Sequence, residues 1–192
     1  MRNRMATINP AGAVSATNVN GWLISAALIV AFAFLTAIGS LIRVPLPFTP
    51  VPFTLQTFFA LLAGGLLGTQ RGVASQVLYL GLGTAGIPVF AAGSLGLLGP
   101  TGGYLLGLAI AALIVGRLTS GSRGLSFVWT SGAMAVGVVA IYLLGIMRLS
   151  VFVPASTHEL VSMGVLPFVV GDVAKLAAAA GIVVAVRRKI RG

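Results

Sequence analysis

Asp172 and Lys175 stand three residues apart in the stretch VVGDVAKLAAAA, residues 169–180. The chain has only two acidic residues, Asp172 and Glu159, and two lysines, Lys175 and Lys189. One of each sign therefore lies inside an otherwise apolar run. A spacing of three places both on one face of a helix. Together they offer carboxylate oxygens that accept N–H bonds and an ammonium that donates to a carbonyl. That is chemistry for holding a polar, uncharged group. At a bilayer centre each charge costs about 2.5–3.5 kcal/mol on insertion scales. A pair that merely neutralised itself would be less favourable than apolar residues in its place. Functional use is therefore the expectation, with a structural salt bridge as the bland alternative.

Other stretches offer weaker chemistry. In PFTPVPFTLQTFF, residues 47–59, alternating prolines predict an extended segment and then a helix from near Pro52. Thr49 and Phe53 would lie at its mouth and Gln56 one turn inside. Gln56 can face a ligand or bridge two helices, and Gln76 and Tyr79, sharing a helical face, have the same two readings. In GPTGGYLLG, residues 99–107, a helix start rich in glycine exposes backbone N–H groups that can seat an anion. Close helix packing through Gly99, Gly103 and Gly107 is the equal alternative. GLGTAG fits a dinucleotide fingerprint at Gly81, Gly83 and Gly86, but it lies in an apolar span without a βαβ unit and carries no such role. There is no Walker A sequence. HELVS, residues 158–162, lacks the second histidine of a zinc helix; Ser156 and Glu159 instead predict a capping box for a short helix ending at Gly164. No catalytic constellation, metal site or cofactor is expected.

The elements that must position these groups follow from composition. The 192 residues are 58% hydrophobic and 7% charged, with 26 glycines. A soluble domain carries about 25% charged residues, so the chain reads as an all-α integral membrane protein. A helix needs roughly 20 apolar residues to cross about 30 Å of hydrocarbon. Runs near 22–42, 53–69, 72–87, 101–118, 125–147 and 165–187 predict six spans, the second and third short. They form one membrane domain, 1–192: a polar tail 1–21, a six-helix bundle 22–187 and a basic tail 188–192. No cleaved signal peptide is expected. The absence of cysteine excludes disulfides and thiol chemistry.

The formal net charge of +10 does not point to nucleic acid. Six spans put both termini on one side, with Arg2, Arg4, Arg71, Arg117, Arg123, Arg187, Arg188, Lys189 and Arg191. The other side holds only Arg43 and Arg148, so the count is nine against two. That asymmetry predicts cytoplasmic termini in a multi-pass protein of the inner, cytoplasmic membrane. Of nine prolines, all but Pro10 fall in or beside the three opposite loops. Stiff irregular backbone at a membrane surface is expected where it lines a cavity, so a site opening outward is inferred. Ala27 and Ala31, one helical turn apart in the first span, permit close approach of another helix, inside the bundle or from a partner.

PFTPVPFTLQTF, GIPVFAAGS, LLGPTGGYLLG and LPFVVGDVAKL, in this order between about residues 22 and 187, resemble the motifs of the BioY family. That family is the biotin-binding S component of energy-coupling-factor (ECF) vitamin transporters. The resemblance implies a six-transmembrane-helix S-component bundle with structured external loops and a high-affinity biotin site beneath them. It implies that Asp172 and Lys175 contact biotin's bicyclic head, and that Ala27 and Ala31 meet the transmembrane coupling subunit of an ECF complex with its ATPase subunits. Biotin's ureido ring fits the pair: Asp172 accepts from N–H and Lys175 donates to the carbonyl. Phe53, Val89, Phe90 and Leu95 are candidates for apolar walls, and Thr49, Gln56, Tyr79, Ser94, Gly102 and Tyr104 for further contacts. For the ligand carboxylate the candidates are the GPTGG backbone, Arg43 and Arg148. Membrane lipid surrounds the bundle, and action alone or as a homo-oligomer stays open. The rival readings are a self-sufficient transporter coupled to protons through Asp172, and an intramembrane enzyme.

Overall fold

The computed structural model describes residues 16–91 and 95–191. Six helices appear in chain order: α1 (Ala16–Leu41), α2 (Gln56–Thr84), α3 (Gly102–Leu118), α4 (Phe127–Leu149), α5 (Thr157–Gly164) and α6 (Leu166–Arg191). Between α1 and α2 a two-stranded antiparallel hairpin pairs β1 (Arg43–Val44) with β2 (Phe53–Thr54). Among the described residues, Gly21–Leu41, Phe127–Phe152 and Leu166–Arg191 are long and apolar enough to cross a membrane; Gly102–Leu118 is a shorter apolar helix.

The second and third predicted spans are the two arms of α2. At Gly68 the backbone leaves the helix, with φ 78° and ψ −175°. Glycine reaches that region without a Cβ penalty. The arms fold back on each other there: a Cβ on Gly72 would sit 2.9 Å from the Ala63 carbonyl oxygen. The reversal thus sits at Gly68, at the end of the predicted run 53–69, rather than across the whole stretch GTQRG, residues 68–72. The first arm, 56–67, has roughly 12 residues and a length of about 18 Å, well short of a bilayer's hydrocarbon. It starts at Gln56 rather than near Pro52 because Phe53 and Thr54 are paired in the hairpin. The space this short arm leaves is where the site lies.

Small residues let the helices approach closely, as expected where lipid removes most of the hydrophobic drive between them. Ala33, Ala60, Ala63, Ala111, Ala112, Ala179 and Ala180 are fully buried, around Leu61, Tyr79, Met134 and Val183. A Cβ on Gly103 would lie 2.0 Å from the Leu144 carbonyl oxygen, and one on Gly107 2.7 Å from Ile141 Cα. Gly103 and Gly107 are therefore packing glycines that seat α3 on α4. A second cluster, Val51, Leu149, Leu160 and Phe168, joins the hairpin, α4, α5 and α6.

One end of the bundle is cationic. Arg187 Nε donates to the Gly65 carbonyl at 2.8 Å and its Nη1 to the Thr119 carbonyl, while Arg188 Nη2 reaches the Leu125 carbonyl at 3.1 Å. Arg187 thereby satisfies carbonyls left open where the first arm of α2 and α3 end, and Arg188 one in the turn before α4. At the opposite, hairpin end, Arg148 Nη2 donates to the Leu98 carbonyl at 2.8 Å. The capping box predicted for α5 is present, with Ser156 N–H donating to the Glu159 carboxylate at 2.8 Å and Ser156 Oγ accepting from Glu159 N–H at 3.4 Å.

Candidate functional site

Asp172 and Lys175 lie about two turns into α6, both buried, at 5% and 8% exposure. Lys175 Nζ donates to Asp172 Oδ1 at 2.7 Å and to the Thr54 carbonyl at 2.6 Å. It also sits 3.6 Å from the centroid of the Phe53 ring, a placement in which the ring quadrupole attracts the ammonium. Phe53 stacks on Phe168 with centroids 6.3 Å apart. Gly171 makes room for it, since a Cβ there would lie 2.3 Å from the Phe53 ring. The glycine just before Asp172 thus brings the hairpin down onto the charged pair. Tyr142, on α4, completes the group by donating its hydroxyl to Asp172 Oδ2 at 2.6 Å. The sequence reading missed Tyr142. Its only signal there was a tyrosine in an apolar span, IYLLG, residues 141–145.

A second chain of hydrogen bonds leads from the pair to the other loops. Thr54 Oγ1 donates to Gln56 Oε1 at 3.0 Å, and Gln56 Nε2 donates to Tyr79 Oη. Tyr79 Oη and Ser40 Oγ both donate to the Val89 carbonyl, at 3.2 and 2.7 Å. Gln76 belongs to a different contact, with Thr36 on α1 at 3.2 Å, which is helix bridging.

These groups border a cavity with ≈ 630 Å³ of empty space, its open mouth included. Asp172, Lys175, Gln56 and Tyr104 line it together, with Tyr142, Thr54, Thr57 and Thr101 as further polar groups. Val51, Leu105, Leu108, Ile141 and Phe168 supply the apolar wall, in place of the expected Phe53, Val89, Phe90 and Leu95. A few polar groups converging in an apolar cleft is the usual make-up of a small-molecule site. Phe53 and Tyr79 support it from behind. Phe90 meets Tyr79 edge-on, centroids 5.5 Å apart, outside the wall. Thr49 Oγ1 accepts from Val51 N–H at 3.2 Å within its own turn. Gly102 is buried against the Leu97 carbonyl. Ser94 lies outside the described residues. Tyr104 also donates to the Gly164 carbonyl at 2.9 Å, tying α3 to α5.

A family model described as the BioY family matches residues 9–192. The chain belongs to the BioY family. It is 40% identical over 152 residues to the biotin transporter BioY of Thermotoga maritima, covering 78% of this chain and 87% of that one. It is 34% identical over 158 residues to the biotin transporter BioY of Rhizobium etli, covering 77% and 84%. The crystal structure of the S-component for biotin from an ECF-type ABC transporter superposes with a TM-score of 0.79 at 28% identity, covering 88% of this chain and 93% of that one. Six helices, S-component likeness and long apolar spans make this BioY chain a multi-pass membrane protein. On α1, Ala27 and Ala31 are exposed on the outer face of the bundle, whereas Ala33 and Ala37, which repeat the same four-residue spacing, are buried in it.

Proposed function

We propose that this BioY protein is the substrate-binding S subunit of an ECF-type uptake system and captures biotin in the cavity above the Asp172–Lys175 pair. The observation that carries the reading is that buried pair, facing a partly open apolar cavity together with Tyr142. Biotin's ureido head supplies the N–H and carbonyl groups that such partners need, and its thioether ring and valeryl chain suit walls such as Leu105, Leu108 and Ile141. Thr54 and Phe53 hold the hairpin on Lys175, so the hairpin acts as a lid over the ligand. Residues 22–187 form one membrane domain in the inner membrane with both termini cytoplasmic. The charge bias supports this orientation: Arg71, Arg117, Arg123, Arg187 and Arg188 gather at the end opposite the hairpin.

The chain binds and delivers its ligand without altering it. Uphill delivery then requires ATPase subunits acting through a coupling subunit, and the exposed Ala27–Ala31 face is the docking surface for that subunit. The deciding experiment is equilibrium binding of radiolabelled biotin to the purified, detergent-solubilised chain. Saturable binding, with biotin recovered unchanged, is expected. No saturable binding overturns the proposal, and chemically altered ligand would favour an enzyme.

A further inference from the structure

We propose that Tyr142 reads one of the ligand's two ureido N–H groups, so that the site selects a urea unsubstituted on both nitrogens. The inference rests on the biotin-capture reading above. A phenol carries one proton and two lone pairs. The Tyr142 proton is committed to Asp172 Oδ2 at 2.6 Å, which leaves its oxygen an acceptor toward the cavity it lines. Hydrogen bonding to a carboxylate polarises that oxygen and strengthens it as an acceptor. Lys175 has three protons, of which Asp172 Oδ1 and the Thr54 carbonyl take two. The third is shared between the face of the Phe53 ring and a ligand carbonyl. The site therefore presents one donor, Lys175, and two acceptors, Asp172 and Tyr142, with Asp172 bonded to both of the others. A cyclic urea presents the complement: one carbonyl flanked by two N–H groups. The Tyr142 oxygen gives the second N–H an acceptor, so that it does not lose its hydration without compensation.

The test uses two cyclic-carbamate analogues of biotin, each with one ring N–H replaced by oxygen. They are measured by competition with labelled biotin on the parental chain and on Tyr142→Phe. On the parent both analogues should bind at least about tenfold more weakly than biotin, because both N–H groups are read. Tyr142→Phe should weaken biotin by about tenfold, and weaken one analogue equally. The analogue that lacks the N–H facing Tyr142 should lose nothing, since its oxygen only repelled the tyrosine. Equal weakening of all three ligands would mean that Tyr142 merely positions Asp172, and would overturn the proposal. So would unchanged biotin affinity in Tyr142→Phe, or a carbamate that binds the parent as well as biotin does. That last comparison needs no variant, so it decides even if Tyr142→Phe folds poorly. A parent that does not bind biotin at all refutes the capture reading first and this inference with it.

Discussion

Asp172 and Lys175 are kept in an apolar helix by four partners outside their own turn. Tyr142, the Thr54 carbonyl and the Phe53 ring share three of these places, and in the proposed reading a ligand head takes the fourth. Single substitutions therefore mix a lost ligand contact with a stranded partner. In the biotin-capture reading, Asp172→Asn turns one acceptor into a donor that faces biotin's N–H, and Lys175→Met removes a charge-assisted bond to the ureido oxygen. Each should weaken biotin by roughly ten- to a hundredfold, a hydrogen bond to a charged group contributing about 1.5–3 kcal/mol. The double variant removes the stranded charge and isolates the ligand contacts. It should fold and still bind weakly; near-parental affinity in a titration with labelled biotin would make the pair scaffold and place the site elsewhere.

At the scale of elements, the α3–α4 contact sets the cavity's shape, because Leu105, Leu108 and Ile141 stand beside Gly107. Gly107→Leu should lower stability by about 1–3 kcal/mol through overpacking and weaken binding as the wall shifts. Gly81→Leu, at a helical glycine with nothing within 4 Å of a Cβ, should leave both thermal midpoint and affinity near parental. Matching losses in the two variants would contradict a packing role. The short helix α5 should respond to acid. Its exposed Glu159 carboxyl is held below the usual carboxylate range, first by the Ser156 backbone N–H and then by the Ser156 hydroxyl. The capping contribution is thus complete above the ordinary carboxylate value and is lost as pH falls through the depressed one. Amide exchange in α5, corrected for the intrinsic rate, should show protection declining in acid, and Glu159→Gln should flatten that dependence. Parental protection that stays level across the carboxylate range would refute the link.

At the scale of the whole molecule, α1 leaves one face exposed on the outside of the bundle. Ala27 and Ala31 form a shallow strip beside exposed Val30, Phe34 and Ile38. Ala27→Trp should block co-purification with a coupling subunit and its ATPases while leaving biotin affinity of the isolated chain unchanged. Ala33→Trp, at a fully buried position, should instead lower stability. An Ala27→Trp chain that assembles as well as the parent would show that this face meets lipid alone. The cationic end has two roles at once. In the proposed orientation its arginines bias topology, and Arg187 and Arg188 also satisfy the carbonyls of Gly65, Thr119 and Leu125.

What the sequence determined by itself is what composition and local spacing encode. Apolar runs fixed the membrane class and the helices, with a reversal at GTQRG. The three-residue spacing put Asp172 and Lys175 on one face, and Ser156 with Glu159 announced the α5 cap. Motif order carried the family. What only the tertiary structure decided depends on contacts between distant segments. Tyr142 meets Asp172 across 30 residues and Lys175 meets Thr54 across 121, and no local period reports either. The same holds for the choice between ligand and packing at Gly103 and Gly107, and for which alanine pair of α1 faces outward. Spacing specifies which residues share a face; only the packing of one helix on another decides what that face meets.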